Sequence, residues 1–195
     1  MASGNREKHS AVLLLYESDN LFDWKYCGVM QEWENAKFAE CPSFLQFGNK
    51  YMLSASVCRE NNHSFSIAVG SFGNGRFTAE ITGEVDKGPD QYAGQIFRDT
   101  RGRAILLSWI PGWAYAGYRE RDIGCMSVPS EITVNDGKIC AYPIEEVRQF
   151  LKNSDSSLVR TQDGFRILRE GRDDVVYRGE LKQLLCIRDG DVLVV

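Results

Sequence analysis

The sequence has few residues that build metal sites and no long apolar run. Only two histidines are present, His9 and His63, and their spacing does not match a metal-ligand pattern. No apolar stretch approaches the roughly 20 residues that a membrane-spanning helix needs. Residues 1–10 are polar and lack the apolar core of a signal peptide. We therefore expect no zinc, no other cofactor and no membrane partner.

Basic residues are fewer than acidic ones, 23 against 27. The net charge is −4 and the pI is about 5.3. An acidic surface gains little from counterion release on a nucleic acid or an anionic membrane, so we expect neither as a partner.

The six cysteines do not form a Cys-x-x-Cys pair. Such scattered cysteines favour reduced thiols over a disulfide framework when no export signal is visible. We therefore expect a cytoplasmic protein. The residues concerned are Cys27, Cys41, Cys58, Cys125, Cys140 and Cys186.

Short apolar segments alternate with turn signals along most of the chain. Gly48-Asn49 separates two apolar runs, and Asn135-Asp136-Gly137 separates two more. Similar turns are predicted around residues 73–75, 99–102 and 163–164. This spacing is typical of antiparallel all-β folds, either a sandwich or a propeller.

The pattern changes once, after Pro143. Ile144, Val147, Phe150 and Leu151 follow a helical spacing. We predict a partial β-propeller over residues 1–142, a helical linker over 143–153 and the start of a β-sandwich over 154–195. The last run, 191–195, ends on apolar residues, and we therefore expect that the chain is cut short.

Glu40 is the first candidate for chemistry. Most glutamates are solvated surface charges, and Glu40 alone permits that interpretation. However, it precedes Cys41-Pro42 and an apolar strand, which could place its carboxylate beside a cavity. A carboxyl group among aromatic side chains can serve as a general acid.

The segment Glu40-Cys41-Pro42, followed by a hairpin, resembles the acid/base motif of glycoside hydrolase family 32, which includes invertases, levanases and sucrose-6-phosphate hydrolases. Further segments resemble family motifs in the same order, and they lie at 16–24, 72–77, 88–95 (Gly-Pro-Asp-Gln-Tyr-Ala-Gly-Gln), 102–110, 128–132 and 143–147.

The resemblance implies a five-bladed β-propeller followed by a β-sandwich, with this chain forming the later blades. Glu40 would open the third blade, Tyr92 and Trp109 would lie in the fourth, and residues 131–142 in the last. It also implies that Glu40 is the general acid/base and that a β-fructoside is the substrate. Cys41, Asp90, Tyr92 and Trp109 would then contact the sugar.

Two family motifs are missing. The family nucleophile is an aspartate in "W-M-N-D-P-N-G", and "R-D-P" supplies a transition-state stabiliser, yet the sequence contains neither. Ser130 also replaces a usual arginine. A retaining glycosidase needs two carboxyl groups about 5–5.5 Å apart. We therefore expect that the isolated chain has little or no activity.

Other interpretations stay open at this point. Without the resemblance, Asp90 is a turn residue and Tyr92 a half-buried sheet residue, while Trp109 and Trp113 could be ordinary sheet packing. A thiol hydrolase could use Cys41 and His63. Residues 70–76 are glycine-rich but lack the Lys-Ser/Thr of a phosphate loop, which favours a hairpin turn.

The main alternative is not an enzyme. A propeller without its first blades exposes strand edges that can pair with another chain. The chain could then be a carbohydrate-binding remnant, half of a split enzyme with a complementing chain, or a self-associating fragment.

Overall fold

The computed structural model describes residues 2–5, 7–60, 63–85, 91–111 and 124–149, together with three short strands between 157 and 178. Within them, every strand pair is antiparallel and a single short helix is present. The all-β prediction is therefore confirmed. None of the helical residues described forms an apolar segment of membrane-spanning length.

The first sheet contains three strands in the order β1-β2-β3. They are Ala2–Asn5 (β1), Ser10–Glu17 (β2) and Lys25–Glu34 (β3). Strand β1 was not predicted, because Ala2–Asn5 has no bulky β-branched or aromatic side chain to indicate a strand. This strand forms because it pairs with β2.

The second sheet is a four-stranded meander in the order β4-β5-β6-β7. The strands are Phe38–Phe47 (β4), Lys50–Cys58 (β5), His63–Gly73 (β6) and Arg76–Gly83 (β7). The glycine turns predicted at residues 48–49 and 73–75 join neighbouring strands as expected. The glycine-rich segment 70–76 is thus a hairpin turn.

The third sheet is built around β9. Its strands are Tyr92–Arg98 (β8), Ala104–Ile110 (β9), Cys125–Met126 (β10), Ser130–Asn135 (β11) and Lys138–Pro143 (β12). Strand β8 pairs with one edge of β9, and β10 and β11 pair with the other.

One expectation about this sheet is wrong. Residues 131–142 were assigned to a blade after the one that holds Tyr92 and Trp109. Instead, Leu106 of β9 pairs with Ser130, so β11 and β12 complete the same sheet. Sequence alone gives no register between β9 and β11, because 19 residues separate the two strands.

The sheets pack face to face through two apolar cores. Leu13 and Met30 of the first sheet meet Leu53 and Val57 of the second. The opposite face of the second sheet meets the third, through the core residues Met52, Phe65, Ile67, Ile96, Leu106 and Ile132. Strand β5 serves both cores because its side chains alternate between the two faces.

The first strands of the three sheets, β1, β4 and β8, lie side by side. This arrangement of successive antiparallel sheets is that of consecutive blades in a β-propeller. It brings β4, which carries Glu40, against β8, which carries Tyr92.

After the third sheet, a short helix spans Glu145–Arg148 (α1), inside the predicted linker. Phe150 and Leu151, the rest of the predicted helix, lie outside the described residues. The strands Ser157–Arg160 (β13), Gly164–Leu168 (β14) and Val175–Arg178 (β15) form a separate antiparallel sheet.

Candidate active site

Glu40 lies beside a bulge in β4. Glu40 pairs with Ser56, but Ser43 pairs with Ser54, so β4 has one extra residue there. Cys41 takes a positive φ of 48°, and Pro42 has no N–H to give to the ladder. These two residues therefore produce the bulge, which re-aims side chains at a strand edge. The Glu40 side chain is exposed.

Tyr92 lies at a second bulge, at the start of β8. Tyr92 pairs with Trp109 while Gln95 pairs with Leu107, so β8 also has one extra residue. Ala93 takes a positive φ of 50° at this point. The two bulges turn Tyr92 and Glu40 toward each other across the contact between the second and third sheets.

Three of the hydrogen bonds that join the bulged strands lie near the bulges. The Tyr92 hydroxyl donates to Glu40 Oε2 at 2.6 Å. The Gln95 side-chain amide donates to the Cys41 carbonyl oxygen at 2.9 Å, and the Ile96 N–H donates to Ser43 Oγ at 2.9 Å. The Glu40 carboxylate therefore has a partner on the neighbouring sheet, and the two strands are tied together again just after it, at Cys41 and Ser43.

The electrostatics keep Tyr92 as a hydrogen-bond donor. Burial raises the pKa of the Tyr92 phenol well above its usual range, and the hydrogen bond to Glu40 and the charge of that carboxylate raise it further. Tyr92 is only 7% exposed. At neutral pH it is protonated and can hold one oxygen of Glu40.

Cys41 contributes its backbone rather than its thiol to these contacts. Its side chain is half-buried, and burial together with the charge of Glu40 raises the pKa of the thiol. His63, the base considered for a thiol hydrolase, has its Nε2 3.3 Å from the Sγ of Cys58. Burial also raises the pKa of Cys58. Both shifts disfavour the thiolate that a cysteine nucleophile requires.

The other predicted sugar contacts divide into two groups. Trp109 is the strand neighbour of Tyr92, and its side chain is 38% exposed, so part of the indole faces solvent. Asp90 and Trp113 lie outside the described residues. The structure thus places Glu40, Cys41, Tyr92 and Trp109 around the start of β4 and β8.

Sequence reasoning missed several residues at this site. Gln95 stood in the motif segment 88–95, but nothing singled out its side chain. The buried Ser43 accepts a hydrogen bond from the neighbouring sheet, and the buried Ser108 Oγ accepts one from Gln91 Nε2 at 2.8 Å within its own sheet. A pattern of strands cannot reveal such contacts, since they depend on which sheets become neighbours and on the register of paired strands.

No cluster of three or more histidine, cysteine, aspartate or glutamate side chains suited to a metal occurs in the part of the chain that the structure describes. The free thiols among those residues are Cys27, Cys41, Cys58 and Cys140.

The chain matches known proteins over most of its length. Residues 1–143 match the sequence model of the glycosyl hydrolases family 32 N-terminal domain. The sucrose-6-phosphate hydrolase of Zymomonas mobilis is 30% identical, in an alignment covering 76% of this chain and 33% of that protein. The sucrose-6-phosphate hydrolase of Escherichia coli is 27% identical, with 84% of this chain and 37% of that protein covered.

A solved structure has the same fold. The family 32 β-fructofuranosidase of Bombyx mori superposes with a TM-score of 0.67 at 22% identity, covering 83% of this chain and 38% of that one. The chain therefore spans about a third of the length of the relatives that it matches. The match over residues 1–143 shows that this chain belongs to glycoside hydrolase family 32.

Proposed function

We propose that this chain supplies the general acid/base half of a β-fructosidase site, with Glu40 as the acid/base. The observation that carries the proposal is the exposed Glu40 carboxylate, held by the Tyr92 hydroxyl at 2.6 Å beside the contact of two sheets. A carboxyl group that transfers protons must face the substrate and keep a fixed orientation.

The proposed chemistry has two steps. Glu40 donates its proton to the glycosidic oxygen as the bond from that oxygen to the fructosyl carbon breaks. A second carboxylate takes the fructosyl group in a covalent bond. Glu40 then removes a proton from water, which attacks the same carbon and releases both fructose and the second carboxylate.

Tyr92 orients Glu40 during these steps, since its hydroxyl binds one carboxylate oxygen and leaves the other for the substrate. The partly exposed face of Trp109 is suited to stacking on a sugar ring, and Cys41 shapes the wall beside Glu40. Asp90 remains a proposed hydroxyl acceptor from the family motif alone.

The second carboxylate has to come from elsewhere. The family aspartate and Arg-Asp-Pro motifs are absent from the sequence, and general acid catalysis alone contributes only about 10²–10⁴-fold. The isolated chain should therefore be inactive. We propose that a complementing chain provides the aspartate, which makes this chain half of a split site. The alternatives are a carbohydrate-binding remnant and a truncated or self-associating product.

The substrate class is a terminal β-fructoside. Relatives bear the names sucrose-6-phosphate hydrolase, raffinose invertase and levanase, and a mutant of the Bombyx mori enzyme has been solved with sucrose. Sucrose, sucrose 6-phosphate and fructans are thus the substrates to test.

The organisation of the chain also remains a proposal. We place a partial propeller at residues 1–142, a linker at 143–153 and the start of a sandwich at 154–195. A cytoplasmic location is proposed from the scattered cysteines.

Complementation tests the split-site proposal. The companion would be the part of the Escherichia coli sucrose-6-phosphate hydrolase that precedes the region matched here, because it should carry the nucleophile motif. Fructose release from sucrose and sucrose 6-phosphate is expected only when both pieces are mixed. Fructose release should be lost when the Glu40→Gln variant is used in place of the wild-type chain, or when the companion's nucleophilic aspartate is changed to alanine.

Calorimetric titration of the chain alone with sucrose and short fructans separates the alternatives. Saturable binding without release in any mixture would favour a carbohydrate-binding remnant. If the chain shows no binding and no mixture releases fructose, both functions are contradicted.

A further inference from the structure

A histidine outside the family motifs contacts Tyr92, the hydrogen-bond partner of Glu40. Cys58 ends β5 and His63 begins β6, and the two residues are paired across the strands. The imidazole Nε2 lies 3.3 Å from the Cys58 sulfur. Cys58 is 5% exposed whereas the histidine side chain is exposed, so a buried thiol fixes one end of an exposed ring.

The same ring packs on Tyr92. The centroids of the His63 and Tyr92 rings are 5.6 Å apart, and the ring planes meet at 80°. This is an edge-to-face contact, the geometry that aromatic pairs prefer. The Tyr92 hydroxyl, at the far end of that ring, donates to Glu40.

The ring contact with His63 helps to fix the position of the Tyr92 hydroxyl. The Tyr92 backbone lies at a bulge and at the first residue of β8, so the strand ladder holds it less firmly than mid-strand residues. A ring contact from a different sheet restricts the side-chain torsions that move the hydroxyl. Gly94, two residues on, is covered by Phe65, which lies two residues after His63 on the same face of β6.

We propose that His63 is a positioning residue, whose ring holds the Tyr92 phenol against Glu40. The consequence for catalysis rests on the proposed role of Glu40. The positioning of Tyr92 by His63 does not depend on that role, and it can be measured in a chain that has no activity.

The experiment uses the full chain labelled with ¹³C at the tyrosine Cζ carbons. The Tyr92 resonance is assigned with Tyr92→Phe, and its ionisation is followed by NMR up to about pH 11, where ordinary tyrosines titrate. Two substitutions are compared, His63→Ala, which removes the ring, and His63→Phe, which keeps a ring but no nitrogen. Circular dichroism at each pH reports whether the fold is intact.

A matched control is available at another tyrosine. Arg148 lies over the ring of Tyr142, 5.0 Å from its centroid. Arg148→Ala removes a ring contact as His63→Ala does, but it should leave the Tyr92 resonance unchanged.

In the wild-type chain we expect Tyr92 to stay protonated near pH 11, because it is buried and bound to Glu40. In His63→Ala the phenol loosens, and we expect a measurable fraction of Tyr92 to ionise by pH 11, whereas in His63→Phe it should stay protonated as in the wild type. An unchanged Tyr92 in a folded His63→Ala chain would overturn the proposal. So would a His63→Phe chain that behaves like His63→Ala.

A second measurement applies if the fold does not survive high pH. The exchange rate of the Tyr92 hydroxyl proton at neutral pH should rise about tenfold in His63→Ala and return in His63→Phe, because a hydroxyl that leaves its acceptor exchanges with water. His63→Asn replaces the alanine variant if that chain does not fold. Equal exchange rates in all folded variants would contradict the positioning role. Failure of the complementation assay would leave these results unaffected.

Discussion

The glycine beside the candidate site should not tolerate even one added methyl group. A Cβ built on Gly94 would lie 2.4, 2.5 and 2.8 Å from three ring carbons of Phe65. Carbon atoms pack at about 3.5–4.0 Å, so the overlap exceeds about 1 Å. Phe65 is 2% exposed and belongs to the core between the second and third sheets, which leaves it little room to move.

We expect Gly94→Ala to destabilise the chain by about 1–3 kcal/mol, the usual cost of overpacking a filled core. For a chain of this size, that corresponds to a fall in Tm of roughly 2–12 °C. Urea unfolding followed by fluorescence measures the change. Gly73→Ala is the matched control, because nothing lies within 4 Å of its added Cβ and its φ is not positive.

A double-mutant cycle tests whether overlap with the Phe65 ring causes the loss of stability. Phe65→Leu opens space beside Gly94, so Gly94→Ala should cost less in that background, with a coupling of about 1 kcal/mol. If Gly94→Ala costs no more than Gly73→Ala, or if the two changes are additive, the close packing of the second and third sheets beside Tyr92 is refuted.

Three further predictions follow from the site and its surroundings. Tyr92→Phe removes the buried donor to Glu40 and should lower the free energy of unfolding by about 1 kcal/mol in urea titrations; no change would mean that the bond is not formed in solution. Burial acts to raise the pKa of Asp99, but the side-chain and backbone hydrogen bonds from Arg103 and its charge outweigh it, so the pKa lies below its usual range. Its contribution to stability is therefore present above the unfolded pKa of about 3.9 and lost as the pH falls through the folded value. The stability advantage of the wild type over Asp99→Asn should shrink below about pH 4, and a constant difference would contradict the assignment. Because burial raises the pKa of Cys58, iodoacetamide should alkylate it at least about tenfold more slowly than the exposed thiol of Cys27, as measured by mass spectrometry; fast labelling would revive a thiol mechanism.

Local signals in the sequence predicted most of the strands. The turn at Gly48-Asn49 and the one at residues 135–137 join antiparallel strand pairs as expected, because such tight turns bring the flanking strands side by side. The strand Ala2–Asn5 was missed since its stability comes from pairing with β2 rather than from its own side chains. The sheet membership of residues 131–142 was wrong for a similar reason, as it depends on a non-local pairing with β9.

In the candidate site, too, local motifs could be predicted from the sequence whereas non-local contacts could not. Glu40, Cys41, Tyr92 and Trp109 were identified from motifs, but the bond between Glu40 and Tyr92 joins residues 52 positions apart. It depends on bulges in two different sheets, and a one-residue slip in either strand would turn a side chain away. His63 was singled out for the wrong partner, because nothing in the sequence distinguishes a contact with Cys41 from one with Cys58.

The split site is the central claim, and fructose release tests it most directly. Purified chain is assayed with sucrose, sucrose 6-phosphate and inulin, alone and with the companion fragment that carries the nucleophile motif. We predict no release by the chain alone, whether it carries Glu40 or Glu40→Gln, and release that depends on Glu40 once the companion is added. Release by the chain alone that disappears in Glu40→Gln would contradict the account, because the chain would then contain its own nucleophile.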